Sequence, residues 1–297
     1  MKNERKTEVL NKFIQRKSLF FLLPALFINI FVMIGPALAT FFLAFTQWNG
    51  LTKLSFIGLR NYFDIFHNIS FFQSILNNIK WTAFFLIVPM MLGLIAATEL
   101  SKISFLKGMY KVIFILPMMF PKVITARLWQ MLFFNGRIGI LHWLSQHGLT
   151  FLDYDLLGHT STALWAVAFI DNWQWWGFLA VVFSTAIDQI DKNYYEVAKL
   201  EGASGIQIFF KVILPMIRPT VLFMSIMTII WSFLVFNFIF IVTQGGPAGS
   251  TEVLATLSYK TAFYQFEFGK ASAVSSIMSL LAGTAIIYYI WIKGKGE

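Results

Sequence analysis

Thr220–Val242 (TVLFMSIMTIIWSFLVFNFIFIV) and Ala271–Ile292 (ASAVSSIMSLLAGTAIIYYIWI) each run for more than twenty residues without a single charge. A bilayer core of about 30 Å is crossed by about 20 apolar helical residues rising about 1.5 Å each, and a helix satisfies its own backbone groups where no water can. Both stretches are therefore read as membrane spans. Leu19–Trp48, Trp81–Thr98 and Ser161–Ile187 follow the same rule, while Val112–Phe134 is apolar but interrupted by Pro117, Pro121, Lys122 and Arg127. The reading is an all-α, polytopic membrane protein with about six transmembrane helices. Only 12% of its residues are charged, about half the usual soluble share, so no stretch between Leu19 and Ile292 suits an independent soluble core. One membrane domain over residues 19–292 is expected, between a basic segment, 1–18, and a short tail, 293–297.

Charge gives the orientation. An even number of spans puts both termini on one side, and 15 of the 23 Lys and Arg then fall on that side, which should be cytoplasmic. The expected location is the cytoplasmic membrane, with both termini in the cytoplasm. The net charge of +9 reflects this topology rather than nucleic-acid binding, because the basic residues sit between apolar runs. Ala37-Leu38-Ala39 imitates a signal-peptidase site, but the apolar run before it is longer than such signals use, so the first helix is read as retained.

Several chemistries are excluded or unsupported. Cysteine is absent, which removes disulfides, thiolate catalysis and Cys-based metal sites. His67, His142, His147 and His159 fall in or near outer loops without the spacing of a zinc helix, so no metal is expected. No phosphate-binding G-x-x-x-x-G-K-[ST] occurs: Gly269-Lys270 runs on into Ala271-Ser272 on the outer side, and Gly245-Gly246-Pro247 is read as an external turn. No catalytic residue and no cofactor is assigned, and any ATP hydrolysis must belong to another polypeptide.

The segment from about 189 to 219, QIDKNYYEVAKLEGASGIQIFFKVILPMIRP, is the most informative. Asn193 followed by Glu196 fits a capping box, Gly202 ends a helix of about two turns, and Ser204 with Gln207 opens a second helix that meets Pro215. A short, polar, well-capped helix on the cytoplasmic side suits docking into a partner's groove.

This segment resembles the EAA loop of ABC-importer permeases. Glu196-Val197-Ala198, Gly202 and Leu214-Pro215 stand in its pattern, and Glu201-Gly202-Ala203 looks like the Asp-Gly-Ala of the carbohydrate branch. Val197 replaces the usual first alanine, and Ile213 lies one place later than the simplest form of the pattern. Phe56-Ile57-Gly58-Leu59-Arg60-Asn61-Tyr62 is similar to the Gly-Leu-x-Asn-Tyr stretch of sugar permeases, Trp129 and Gly139 stand where that branch has a Trp and a Gly, and Thr243–Phe263 is similar to its Thr-x-Gly-Gly-Pro region. The resemblance implies the type I importer permease fold and the maltose-type, oligosaccharide-importing branch, without the large extra external domain of some members. It implies as partners a second permease subunit, two cytoplasmic ATPase subunits, an extracytoplasmic solute-binding protein, a sugar substrate and membrane lipid. It further implies that Glu196, Ala198, Glu201, Gly202, Ala203, Leu214 and Pro215 form the contact with the ATPase; simple capping by Glu196 and Gly202 is compatible with that role. An ABC permease for another small solute, such as an amino acid or a polyol phosphate, is the nearest alternative. A secondary transporter would need more intramembrane carboxylates and a repeated half.

Asp171 is the first candidate for the solute path, because a carboxylate at mid-membrane costs at least about 2.5 kcal/mol and usually faces a partner or a watery space. Lys122 comes at similar depth, so the two can pair across spans; that pair can equally serve packing, and Lys122 can snorkel outward. Asn172, Trp173, Gln174 and Trp175, continued by Trp176, combine hydrogen-bonding groups and rings as a sugar site requires, and Asn237 between Phe236 and Phe238 offers a second such cluster. An interfacial Trp belt or lipid-facing packing is the other reading of these residues. Ala271, Ser275, Ser279 and Gly283 recur every fourth position, a small face that permits close helix approach.

Overall fold

A computed structural model describes residues 22–134, 139–150 and 155–294. The basic segment 1–18 and residues 295–297 of the tail lie outside the described residues. Thirteen helices are used below: α1 (Leu22–Leu43), α2 (Arg60–Phe66), α3 (Ile69–Lys102), α4 (Lys107–Met119), α5 (Lys122–Leu132), α6 (Ile140–Gln146), α7 (Ala163–Ile187), α8 (Lys192–Leu200), α9 (Gly205–Met216), α10 (Arg218–Phe233), α11 (Asn237–Val242), α12 (Leu254–Phe263) and α13 (Phe268–Gly294). Two short strands, β1 (Thr46–Gln47) and β2 (Ser55–Phe56), pair antiparallel with Thr46 opposite Phe56.

Among the described residues three helical stretches are long and apolar enough to cross a membrane: α1, α3 and Arg218–Val242, which is α10 with α11; the pair α4 and α5 makes a fourth if taken as one bent span. Helix α7 has 25 residues and α13 has 27, enough length in both, although Asp171, Asn172 and Gln174 dilute the hydropathy of α7. The second span is longer than its apolar run suggests. Helix α3 has 34 residues and starts at Ile69, twelve before Trp81, because Asn68 caps it through an Oδ1 bond from Ser70 N (2.9 Å) and its first turns are buried. At about 1.5 Å per residue it outreaches the bilayer core.

Proline shapes three of the helices. Pro36 and Pro215 each follow a stretch of π-helix, Asn29–Ile34 and Phe209–Ile213, as expected where a missing N–H and the ring's bulk disturb the preceding turn. Phe120, which precedes Pro121, is extended at ψ 136°, and α4 and α5 meet there at 90°. The span expected over Val112–Phe134 is therefore a bent pair, and Lys122 is the first residue after the bend.

The core is built on α3 and α7, which make the most extensive contact in the molecule. Trp81 and Phe85 of α3 pack with Val167, Ile170, Leu179 and Phe183 of α7, all fully or nearly fully buried. A Cβ on Gly93 would come 2.7 Å from the Leu179 Cβ, and one on Gly177 would come 2.1 Å from the Phe114 carbonyl oxygen, so glycine sets the approach of α3 and of α4 to α7. A second cluster, Ala44, Ile65, Phe71, Leu254, Ala273 and Val274, forms where α1, α2, α3, α12 and α13 meet. The Asn61-Tyr62 pair ties this region together: Asn61 Nδ2 donates to the carbonyls of Ala44 (2.9 Å) and Thr46 (2.8 Å), and the Tyr62 hydroxyl bonds Ser276 Oγ at 2.9 Å. Part of the small face of α13 is used here too, since Ser275 Oγ meets Ser258 Oγ of α12 at 2.7 Å. Most large side chains of α1 are exposed, as befits a lipid-facing helix.

Candidate functional site

The span Arg218–Val242 is interrupted as well. Residues 234–236 leave the helical path between α10 and α11, although no proline or glycine marks the spot. The bend at Phe120-Pro121 and this interruption open onto the same space, a cavity of about 320 Å³. Its wall takes Trp81 and Phe85 from α3, Lys122 from α5, Asp171, Gln174 and Trp175 from α7, Trp231 and Ser232 from α10, and Asn237 from α11. Irregular backbone at membrane depth is tolerated where protein buries it or where it lines a watery space, and discontinuous helices commonly build solute sites.

At each break a side-chain amide from a neighbouring helix fastens the backbone. Gln174 Nε2 donates to Pro117 O (2.9 Å), Phe120 O (3.0 Å) and Thr125 Oγ1 (3.0 Å), fastening both sides of the α4–α5 bend to α7. Asn78 does the same at the second break: its Nδ2 donates to Ser232 O (3.0 Å) while its Oδ1 accepts from Leu254 N (2.9 Å). Asn77 beside it donates to Glu252 O at 2.8 Å and Gly249 O at 3.2 Å, holding the loop that carries Gly245, Gly246 and Pro247. Gly245 has φ +83°, and a Cβ there would meet the Glu252 carboxylate and the Lys260 ammonium, which form an ion pair beneath the loop. Sequence reading passed over Asn77 and Asn78. The signal was present, because two adjacent amides inside an apolar helix must find partners.

The path candidates divide. Asp171, Gln174, Trp175 and Asn237 line the cavity; Asn172 and Trp173 do not. Asn172 is buried with Oδ1 unpartnered, and Trp173 packs against Phe120 and Trp129. Trp175 Nε1 is buried without an acceptor in the cavity wall. Lys122 and Asp171 face the same space and interact electrostatically, but no ion pair within 4.0 Å joins them. The Lys122 ammonium instead stands 5.7 Å from the centre of the Phe238 ring.

At the other end of α7 the chain turns into a helical hairpin, α8 and α9. The cap of α8 is Asp191, whose Oδ1 accepts from Asn193 N at 3.0 Å, so the capping box expected from Asn193 and Glu196 does not form. Asp191 competes better because it is already extended and anionic at the positive end of the helix. The second box forms as expected: Ser204 N donates to Gln207 Oε1 (2.8 Å) and Gln207 N to Ser204 Oγ (3.4 Å). Between them Gly202 is left-handed at φ +77°, with Ala203 N bonded to Ala198 O and Gly202 N to Lys199 O, both at 3.0 Å. These two bonds make the Schellman ending that glycine allows. Ala198 is buried and Ala203 and Leu214 are half-buried, while Glu196, Glu201, Gly202 and Pro215 are exposed. Glu196 makes no ion pair with any described residue. Tyr194, Val197 and Leu200, at every third position of α8, are exposed apolar side chains, Leu200 at 87%.

The hairpin is tied back to the bent span. Asp188, the last residue of the α7 cap, accepts from Lys107 Nζ at 2.5 Å and from Lys111 Nζ at 3.2 Å, both on the first turns of α4. Burial, with the Asp188 carboxylate nearby, holds the phenol of Tyr195 on α8 above its ordinary range.

Comparison with known proteins agrees with this arrangement. The chain shares 34% identity over 265 residues with the "Probable ABC transporter permease protein YurN" of Bacillus subtilis, covering 88% of this chain and 90% of the relative. It shares 26% identity with the trehalose/maltose transport system permease protein MalF of Thermococcus litoralis, covering 91% and 90%. A solved chain of a bacterial ABC transporter involved in the import of the acidic polysaccharide alginate has the same fold, with a TM-score of 0.82 at 21% identity over 96% of this chain and 98% of that one. Residues 89–293 match the model of the binding-protein-dependent transport system inner membrane component, and the chain belongs to that family.

Proposed function

We propose that this chain forms half of the translocation path of an ATP-driven importer, with the cavity between the two broken spans as its solute chamber and a sugar or oligosaccharide as its solute. The cavity carries the reading: rings, amides and two charged groups surround a space of about 320 Å³ at the point where both spans open, in a chain similar over nine-tenths of its length to a trehalose/maltose permease. Sugars are held by hydrogen bonds to their hydroxyls and by aromatic faces, and such groups line this wall. The chain is a transport component; ATP hydrolysis belongs to two cytoplasmic ATPase subunits, a second permease completes the path, and an extracytoplasmic binding protein delivers the sugar. Residues 189–219 form the cytoplasmic loop, with both termini on the same side.

The hairpin would dock on the ATPase through the exposed apolar face of α8, with Glu196 as the charged contact at its rim and Ala198 and Gly202 shaping the turn. The experiment is ATP hydrolysis by the complete importer in lipid, with and without sugar-loaded binding protein. Hydrolysis is expected to rise with the cognate sugar and to lose most of that rise in Glu196→Ala. Transport by this chain with no ATPase present would refute the reading.

A further inference from the structure

Two opposite charges share the cavity without touching. The Lys122 ammonium stands over the Phe238 ring, and Asp171 accepts no hydrogen bond from any described residue. Asp171 is half-buried and Lys122 exposed, both on the cavity wall, so neither charge is sealed off from a solute there. Here each keeps its strong hydrogen-bonding capacity directed to the same space. The cavity also presents the rings of Trp81, Trp175 and Trp231.

Such a site suits one class of ligand. A hydroxyl both donates and accepts, so a polyol can give hydrogen bonds to Asp171 and take them from Lys122. A ligand with a carboxylate would satisfy Lys122 but bring a second negative charge beside Asp171; a ligand with an ammonium group would do the reverse. Either leaves one uncompensated charge on the cavity wall. The fold itself does not decide the matter, since the alginate transporter takes an acidic polysaccharide on the same architecture.

We propose that Lys122 and Asp171 are a specificity-determining pair that holds the cavity at zero net charge, bridges the hydroxyls of an uncharged sugar and turns away its acidic and amino counterparts. The proposal rests on the sugar-import reading. Its test is equilibrium binding to the complete importer in lipid discs, using neutral trisaccharides, each with its uronic-acid and amino-sugar counterpart. The native importer is expected to favour the neutral sugar by about tenfold or more. Asp171→Asn, which leaves Lys122 unbalanced, should shift the ratio about tenfold toward the uronic acid, and Lys122→Gln toward the amino sugar. Asp171→Glu should keep the neutral preference. Equal binding of neutral and acidic sugars by the native importer overturns the pair, as does a charge preference that Asp171→Asn leaves unchanged in a folded complex. The native ratio stands as a test whether or not the variants fold. If the native importer binds no sugar of any charge, the sugar-import reading falls, and the pair with it.

Discussion

Gln174 illustrates how one side chain can set the geometry of a site without being spent on its ligand. Its amide nitrogen meets three oxygens, on both sides of the bend between α4 and α5: the Thr125 hydroxyl, the Pro117 carbonyl, which also accepts from Phe120 N at 3.3 Å, and the Phe120 carbonyl beside Pro121. A buried carbonyl left without a donor costs about 1–3 kcal/mol. Gln174→Leu should therefore lower the unfolding midpoint of the purified chain in detergent. Gln174→Glu should do more harm, because it turns a carboxylate toward those same acceptors. Equal midpoints for native and Gln174→Leu protein would show that the bend does not need this fastening. The polar cluster from Asp171 to Trp175 was legible in the sequence, but its division of labour was not. Which of its members faces the cavity depends on the direction of α7 relative to two other helices, and Gln174 finds carbonyls 54 and 57 residues earlier in the chain. Asn78 was missed for the same reason, since the carbonyl it serves lies 154 residues away.

The elements whose form is decided locally were the most readable. The Ser204–Gln207 box and the glycine turn at Gly202 follow from neighbours within a few residues, whereas the Asp191 cap differs by two positions from the one expected. The interruption at 234–236 carries no proline or glycine and left no local sign. At Gly202 a Cβ would meet nothing within 4 Å, so the cost of substitution lies in the backbone alone, where φ +77° disfavours a branched side chain by about 1–2 kcal/mol. Gly202→Val should fray the end of α8 and reduce sugar-stimulated ATP hydrolysis, while Gly202→Asn, which tolerates this conformation, should retain most of it. If both substitutions reduced hydrolysis equally, a close approach by the partner rather than the turn itself would explain the need for glycine.

Across the whole molecule, α7 is the element that touches every part of the proposed mechanism. It packs on α3, fastens the α4–α5 bend through Gln174, carries Asp171 into the cavity and ends at Asp188, three residues before the cap of α8. The ion pairs from Asp188 to Lys107 and Lys111 close a loop, because they hold the first turns of α4 to the end of α7 that enters the hairpin. These groups are part exposed, so each pair adds little to stability, about 1 kcal/mol or less. Their value is geometric: a push on the hairpin reaches α7 through the chain and α4 through Asp188, and so reaches both sides of the bend beside Lys122. Asp188→Lys should leave sugar binding close to native yet reduce sugar-stimulated ATP hydrolysis several-fold, and adding Lys107→Asp with Lys111→Asp should restore a good part of it by rebuilding the contact with reversed charges. Loss of binding and hydrolysis together would assign Asp188 to folding instead. Failure of the reversed pair to rescue, in a complex that still binds sugar, would mean that the push travels along α7 alone.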